Sequence, residues 1–335
     1  MEQRIQDRYS EAIYRQALAR YDVEPDQVKR LDGFESFIYE YVRDGQEYIL
    51  RIGHSLRRSP GLIAGEVDWI NYLADGGVSV ARAVTSLTGK LVETVDDGQG
   101  EVFLVTSFEK APGAPIRPEA WHGDFFERYG QLIGRMHALS KEYRPPEPSW
   151  RRPAWNDQSM LDLAPWIPDT EPLVKERWSE LHAYLETLPA DEDAYGLIHQ
   201  DAHAGNFFVD GDTIILFDFD DCLYGWFAYD IAIVLFYAVI GTKDWPVFTR
   251  SFMTRFLAGY TRENRLPAKW LAEIPHFLKL REIDLYAVIH RSFDVQNLDH
   301  PWVARYMDGR RQRIEAGIPY IDFNFESLEP VLSGR

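Results

Sequence analysis

Two short stretches, His199-Gln200-Asp201-Ala202-His203-Ala204-Gly205-Asn206 and Asp218-Phe219-Asp220-Asp221, decide how this chain is read. Between them lie Phe207-Phe208-Val209, the pair Asp210-Gly211, and Thr213-Ile214-Ile215-Leu216-Phe217. Strand-forming runs on either side of Asp-Gly predict a β-hairpin, which folds the two polar ends back onto one place. Phosphoryl transfer to an alcohol asks for such a set. Its transition state is loose, so the protein mainly positions groups and neutralises charge. One carboxylate must lie beside the acceptor hydroxyl, to orient it and take its proton. Oxygen ligands must hold a Mg2+ ion that bridges the phosphates. Asp201 suits the first task, and Asn206 with Asp218 the second, while His203 is expected to brace the loop. Asp220 either shares the metal or braces the loop, and Asp221 reads as structural.

Upstream, the texture is that of strands. Phe37-Ile38-Tyr39-Glu40-Tyr41-Val42 and Glu47-Tyr48-Ile49-Leu50-Arg51-Ile52 flank Asp44-Gly45, a strong hairpin signal. A helix is predicted over Leu62–Ala74, stopped by Asp75-Gly76-Gly77. Further strands are expected at Ala83–Leu87, Lys90–Val95 and Glu101–Phe108. Residues 1–20 read as one short amphipathic helix, with Ile5, Tyr9, Ile13 and Ala17 at four-residue spacing. Past Lys110-Ala111-Pro112-Gly113 the pattern turns helical. Asp124 is expected to cap a helix that carries Phe125, Tyr129, Leu132, Ile133, Met136 and Leu139 on one face. Tyr143–Pro168, rich in Pro and Trp, reads as an irregular surface excursion in which Trp150, Trp155 and Trp166 are candidates to line an acceptor pocket. A helix over Glu171–Leu188 follows, and after the hairpin the chain is mostly helical to about Glu315. The expected fold class is α+β: an N-lobe of antiparallel sheet over residues 1–108 and a mostly helical C-lobe over 109–335, joined near Ser107.

The spacing His-x-Asp-x-x-x-x-Asn, followed after a hairpin by Asp-Phe-Asp, resembles the aminoglycoside phosphotransferase and choline kinase superfamily. The second His and the Trp226–Asp230–Ile231–Ala232 stretch are also similar to that family. The resemblance spans about Val28 to Gly259 and implies a bilobal, protein-kinase-like fold that binds ATP and Mg2+. It implies that Gly33, Ser36 and Phe37 belong to a strand-turn-strand covering the nucleotide, where one glycine lets backbone approach. It implies that Arg51 takes the place of the usual phosphate-pairing Lys, with its geometry altered, and that Glu66 is its carboxylate partner. An Arg there resembles a branch containing type II homoserine kinases and a bacterial stress-response Ser/Thr kinase group. The backbone around Ser107 and Phe108 would meet the adenine edge, and Asp230 would lock its helix against the catalytic loop. His137 reads as buried and hydrogen-bonded, and Cys222 as a packed thiol.

The bulk composition narrows the partners. The chain has 335 residues, which suits two lobes, and a formal net charge of −17. Such a field repels phosphate backbones and anionic lipid, so neither nucleic acid nor a membrane surface is an expected partner. A single cysteine excludes an intramolecular disulfide, and the first ten residues alternate charge without an apolar run. The expectation is a cytoplasmic enzyme; no feature of the sequence bears on oligomeric state. A metal hydrolase built on His199, Asp201 and His203 would need further ligand motifs, and His54, His122, His137, His276, His290 and His300 lack the spacing. The expected activity is ATP-dependent phosphorylation of a hydroxyl on a small molecule (an amino acid, amino alcohol or aminoglycoside-like compound). A protein Ser/Thr kinase of the same fold is the alternative, as is a catalytically quiet nucleotide-binding regulator. Arg51 permits the second, while the intact Asp201, Asn206 and Asp218 oppose it.

Overall fold

The computed structural model describes residues 2–157, 160 and 163–333. The fold is α+β, as the sequence leads one to expect, and the chain divides into two units. One comprises Met1–Pro115, Glu142–Arg152 and Asn206–Asp220, the other Ile116–Lys141, Pro153–Gly205 and Asp221–Arg335.

The first unit opens with two helices, α1 (Gln3–Gln6) and α2 (Glu11–Ala19), where the apolar spacing suggested one. The break has a local cause. Ser10 is extended, and its hydroxyl oxygen accepts the Ile13 N–H at 3.4 Å, starting a new helix. Ile5, Ile13 and Ala17 are buried all the same, and the Tyr9 ring stacks on Phe37 at 3.7 Å. Strands β1 (Val28–Leu31), β2 (Phe37–Arg43) and β3 (Gln46–His54) follow. Helix α3 (Pro60–Asp75) comes next, beginning ahead of the expected Leu62 because Ser59 caps it and Pro60 suits its first turn. Strands β4 (Ala83–Val84), β5 (Glu93–Asp96) and β6 (Val102–Glu109) complete an antiparallel sheet ordered β1-β2-β3-β6-β4, with β5 also on β6. The expected hairpin between β2 and β3 is present, with Arg43 opposite Gln46 and Phe37 opposite Ile52.

Strands β4 and β5 are shorter than Ala83–Leu87 and Lys90–Val95. The backbone there turns instead: Ser86 N–H bonds Lys90 O at 2.8 Å, Leu87 N–H bonds Arg20 O at 2.9 Å, and Ser86 Oγ donates to Glu93 at 2.6 Å. Alternation along the longer strands sends Tyr39, Tyr41, Leu50, Ile52, Phe103 and Val105 to one core with α2. Burying each such side chain stabilises by roughly 1.5–3 kcal/mol.

The later strands are β7 (Tyr195–Ile198), the hairpin β8 (Phe207–Asp210) with β9 (Thr213–Leu216), and β10 (Leu223–Trp226). The hairpin belongs to the first unit. There it bridges Ala114 through Val209 and Val80 through Leu216.

The second unit is built on α4 (Gly123–Glu142), α5 (Pro172–Leu185), α6 (Phe227–Ala238), α7 (Trp245–Tyr260) and α8 (Ile274–Ser292). Asp124 lies in the first turn of α4 rather than capping it, and α5 stops short of Leu188. Helix α6 is apolar all round and buried almost throughout, the pattern of a central helix. Helices α4 and α7 approach backbone to backbone: a Cβ on Gly130 would lie 1.9 Å from Phe256 O. The ribbon of β7 with β10 was not foreseen in the sequence. Nor is Tyr143–Pro168 simply a surface excursion, because Arg152, Trp155, Leu163 and Ile167 are buried. Its residues 158, 159, 161 and 162 lie outside the described residues. Trp155 packs on Trp226 at 5.0 Å, which commits its ring to the core, whereas Trp166 is exposed.

Candidate active site

In the first unit, Arg51 on β3 reaches Glu66 on α3 with two parallel bonds. Nη1 meets Oε1 at 2.7 Å and Nη2 meets Oε2 at 2.8 Å. Glu66 is fully buried and Arg51 is 7 % exposed, so this pair is not a surface ornament. Burial works against the Arg51 charge, but Glu66 and Asp220 outweigh it and hold the guanidinium protonated. Its carbon also sits 5.0 Å from the centre of the Phe108 ring. A recess is lined by Ser36, Arg51, Gly53, Arg57, Arg58 and Thr106, among others. Three guanidinium groups in one recess suit a polyphosphate.

Asp220 is the counterweight. Its side chain accepts from Arg57 and lies 3.8 Å from Arg51, and its main-chain oxygen accepts from Arg152 at 2.6 Å. Burial pushes its pKa up, yet Arg57, Arg51, Arg58 and Arg152 together keep it far below the carboxylate range. Arg57 also lies 3.5 Å from Glu35, in the turn that carries Gly33 and Ser36. That turn is tight: a Cβ on Gly33 would fall 2.2 Å from Ser36 O, so no side chain fits.

Phe37 points its ring into the sheet core against Tyr9. Ser107 and Phe108 lie inside the sheet, Ser107 between Leu50 and Val84 and Phe108 between Ile49 and Ala83. The Ser107 hydroxyl is engaged by Tyr41 at 2.8 Å. Ala111, buried, has no hydrogen-bond partner for its N–H among the described residues.

Asn206 and Asp218 stand at the two ends of the β8–β9 hairpin. Phe217 N–H bonds Asn206 O at 2.9 Å, which sets the ends side by side. Asp218 takes a left-handed backbone, φ 63°, rare for a residue with a Cβ and a common mark of functional sites. An amide oxygen and a carboxylate are hard donors and fit a hard divalent cation that shares its shell with phosphate and water. Among the described residues no group of three His, Cys, Asp or Glu side chains could hold a metal by itself.

In the second unit β7 delivers the chain to His199, and the loop after it is locked from behind. The N–H groups of His199 and Gln200 donate to the Asp230 carboxylate at 3.1 and 2.9 Å. Gln200 is buried and left-handed at φ 71°, a conformation those two bonds over-determine. Asp230 also meets His137 Nε2 at 3.0 Å, and His137 Nδ1 meets the Tyr260 hydroxyl at 2.9 Å. The lock expected of Asp230 and the buried, bonded role expected of His137 are both present.

Asp201 is partly open, with both carboxylate oxygens engaged. Oδ1 accepts from Arg281 Nη2 at 2.5 Å, and Oδ2 lies 3.3 Å from His203 Nε2. His203 Nδ1 accepts the Gly205 N–H at 2.9 Å, so its ring proton sits on Nε2 and faces Asp201. Burial opposes ionisation of Asp201, but Arg281 and His203 prevail and hold its pKa below the ordinary value. Arg281, on α8, further binds Asp284 at 2.6 Å and the Tyr237 hydroxyl at 2.7 Å. Nothing in the local sequence around Arg281 marked it. Its only signal is a charged pair, Arg281 and Asp284, on an otherwise buried helical face.

No helix among the described residues is long and apolar enough to cross a membrane. Residues 27–270 match the model of the phosphotransferase enzyme family. An amicoumacin kinase of Bacillus subtilis (strain 168) is 40 % identical over 324 residues, 96 % of either chain. A solved amicoumacin kinase in complex with AMP-PNP, Ca2+ and Ami superposes with a TM-score of 0.93 at 40 % identity, covering 98 % of this chain and all of that one. A microcompartment-associated aminopropanol kinase gives a TM-score of 0.70 at 27 % identity, over 97 % of this chain and 98 % of its own. The chain belongs to the phosphotransferase enzyme family.

Proposed function

We propose that this ATP-dependent phosphotransferase moves the γ-phosphate of Mg-ATP to a hydroxyl on an amine-bearing small molecule, with amicoumacin the acceptor to test first. The observation that carries the residue assignments is the setting of Asp201: a partly open carboxylate, ionised by Arg281 and His203, on a loop locked by Asp230. An ionised carboxylate with a depressed pKa is a weak base but a good orienter. A loose transition state asks for orientation first and for the proton only late.

Asp201 therefore takes the acceptor hydroxyl as a hydrogen-bond donor and receives its proton as the new O–P bond forms. Asn206 and Asp218 hold the Mg2+ ion, which when bound neutralises phosphate charge. Arg51, fixed by Glu66, meets the phosphates, and Arg57 reaches them by exchanging Asp220 for phosphate oxygen. Asp220 acts as the brace of those two arginines rather than as a metal ligand. Gly33 and Ser36 cover the nucleotide, and backbone from Lys110 onward meets adenine. Residues 1–108 cover the nucleotide, and 109–335 carry the backbone that meets adenine, the catalytic loop, the metal site and the acceptor pocket. The preference for an amine rests on charge: Asp201 and Asp221 each act electrostatically on Asp284, with Arg281 the cation beside it.

The test is ADP release with amicoumacin or aminopropanol as acceptor. We expect acceptor-dependent turnover that Asp201→Asn lowers by about 10²–10⁴-fold, with ATP binding preserved in calorimetry. Turnover of the variant close to wild type would remove Asp201 from the role of base.

A further inference from the structure

Both oxygens of Asp201 are held, but by unlike groups. Oδ1 is tied to Arg281, which is itself nearly buried and anchored three ways: to Asp201, to Asp284 and to Tyr237. Its guanidinium carbon also lies 5.3 Å from the centre of the Tyr237 ring, so a π-face steadies it as well. Oδ2 lies at a longer distance, 3.3 Å, from Nε2 of His203, whose ring packs at 4.4 Å from that of Tyr237. A short charge-assisted bond on one oxygen and a long one on the other make the two inequivalent.

We propose that Arg281 is a positioning residue for phosphoryl transfer, fixing Oδ1 of Asp201 so that Oδ2 is the oxygen presented to the acceptor hydroxyl. This rests on the reading of Asp201 as the base. The step balances simply. The acceptor oxygen forms its bond to the γ-phosphorus, and the bond from that phosphorus to the β,γ-bridging oxygen breaks. Its electron pair stays on ADP, and the hydroxyl proton passes to Oδ2. Oδ1 is already committed to a guanidinium that cannot give up its proton, which makes Oδ2 the better-placed oxygen to receive the hydroxyl proton. Arg281 stands 80 residues along the chain from Asp201, on the helix α8, so helical packing sets the aim of the catalytic carboxylate.

The experiment compares Arg281→Gln, Arg281→Lys and Asp201→Asn in the ADP-release assay, with kcat, KM and pH profiles. Arg281→Gln should lower kcat on the order of 100-fold, the scale of a misaimed catalytic group, while KM for ATP changes less than about threefold. The acid limb of kcat should move to higher pH as Asp201 loses its partner. The other groups around Asp201 stay in place: His199 and His203 on the loop, Tyr237 on α6, Tyr129 on α4, and Asp284 and Tyr229 beyond Arg281. Arg281→Lys should recover part of kcat. Because Arg281→Gln leaves Asp284 unpaired, Arg281→Gln with Asp284→Asn is measured beside it, with thermal unfolding to certify the fold. A folded double variant with wild-type kcat overturns the proposal, as does one whose kcat falls without any movement of the acid limb. If Asp201→Asn is inactive while Arg281→Gln is normal, only this inference fails. If Asp201→Asn turns over normally, the assignment of the base fails with it.

Discussion

Arg51 and Glu66 exchange two parallel bonds at 2.7 and 2.8 Å with both groups almost wholly out of water. Where the family commonly places a Lys, a guanidinium can do something an ammonium cannot: satisfy both carboxylate oxygens at once and still present an edge to a ligand. That geometry sets what substitution does. Arg51→Met strands a buried Glu66, a loss of about 3–5 kcal/mol for breaking one side of a buried pair. Arg51→Lys keeps the charge and forfeits one of two charged bonds, about 1.5–3 kcal/mol. Urea denaturation should rank the two in that order, and an unmoved midpoint in Arg51→Met would show that Glu66 finds another partner. The pair was legible through the family resemblance, which gives each residue a place on a consecutive strand and helix. Arg57 was not, since its partners Glu35 and Asp220 lie at separate points in the chain and an exposed-looking Arg-Arg dipeptide carries no direction.

One hydrogen-bonded line runs from α7 through α4 and α6 to the catalytic loop: Tyr260, His137, Asp230, and the N–H groups of His199 and Gln200. Burial lowers the pKa of His137 against the pull of Asp230, so the ring is neutral when folded. Unfolded, a His titrates near 6.5, so its contribution is complete above that value and is lost as pH falls, when the unfolded chain takes up a proton the native state refuses. Burial also opposes the Asp230 charge, but His137, His199 and the Gln200 N–H lower its pKa overall. Its contribution is full above about pH 3.9 and fades as pH drops through its folded value. Both signs agree: stability falls on acidification. Between about pH 7 and 5 the slope belongs to His137 together with His54 and His290, whose pKa values burial also lowers, and His137→Gln should reduce it in a series of thermal melts. An unchanged slope would place the titrating group elsewhere. The elements of this line differ in how far the sequence foretold them. The face of α4 was plain from periodicity. The ribbon of β7 with β10 was hidden, because each strand is a few residues long and the register Ile198 to Leu223 spans the whole catalytic hairpin. Local pattern also cannot see Ser10 interrupting a well-spaced amphipathic helix, or Ser86 and Glu93 bending what reads as strand.

The chain as a whole carries a formal charge of −17, from 36 basic and 53 acidic residues. The fold does not depend on that surplus, but the approach of substrates does. The motif residues Asp201, Asn206 and Asp218 were readable because phosphoryl transfer constrains their spacing within one short stretch. The cation that holds Asp201 was not, since Arg281 and its partner Asp284 are brought to it only by helical packing. Net charge is the one property bearing on the acceptor that survives without coordinates. A negative field draws in a cation and holds off ATP, and salt screens both effects over a Debye length of about 10 Å at 0.1 M. Raising salt from about 20 to 200 mM should thus lower kcat/KM for an amine-bearing acceptor by about 3–10-fold. The same change should leave an N-acylated analogue nearly flat and should raise, or at least not lower, kcat/KM for ATP. Opposite signs for the two substrates are the mark of the field. If acceptor and ATP fall together, salt is acting on the enzyme itself, and the acidic surface has no part in choosing an amine.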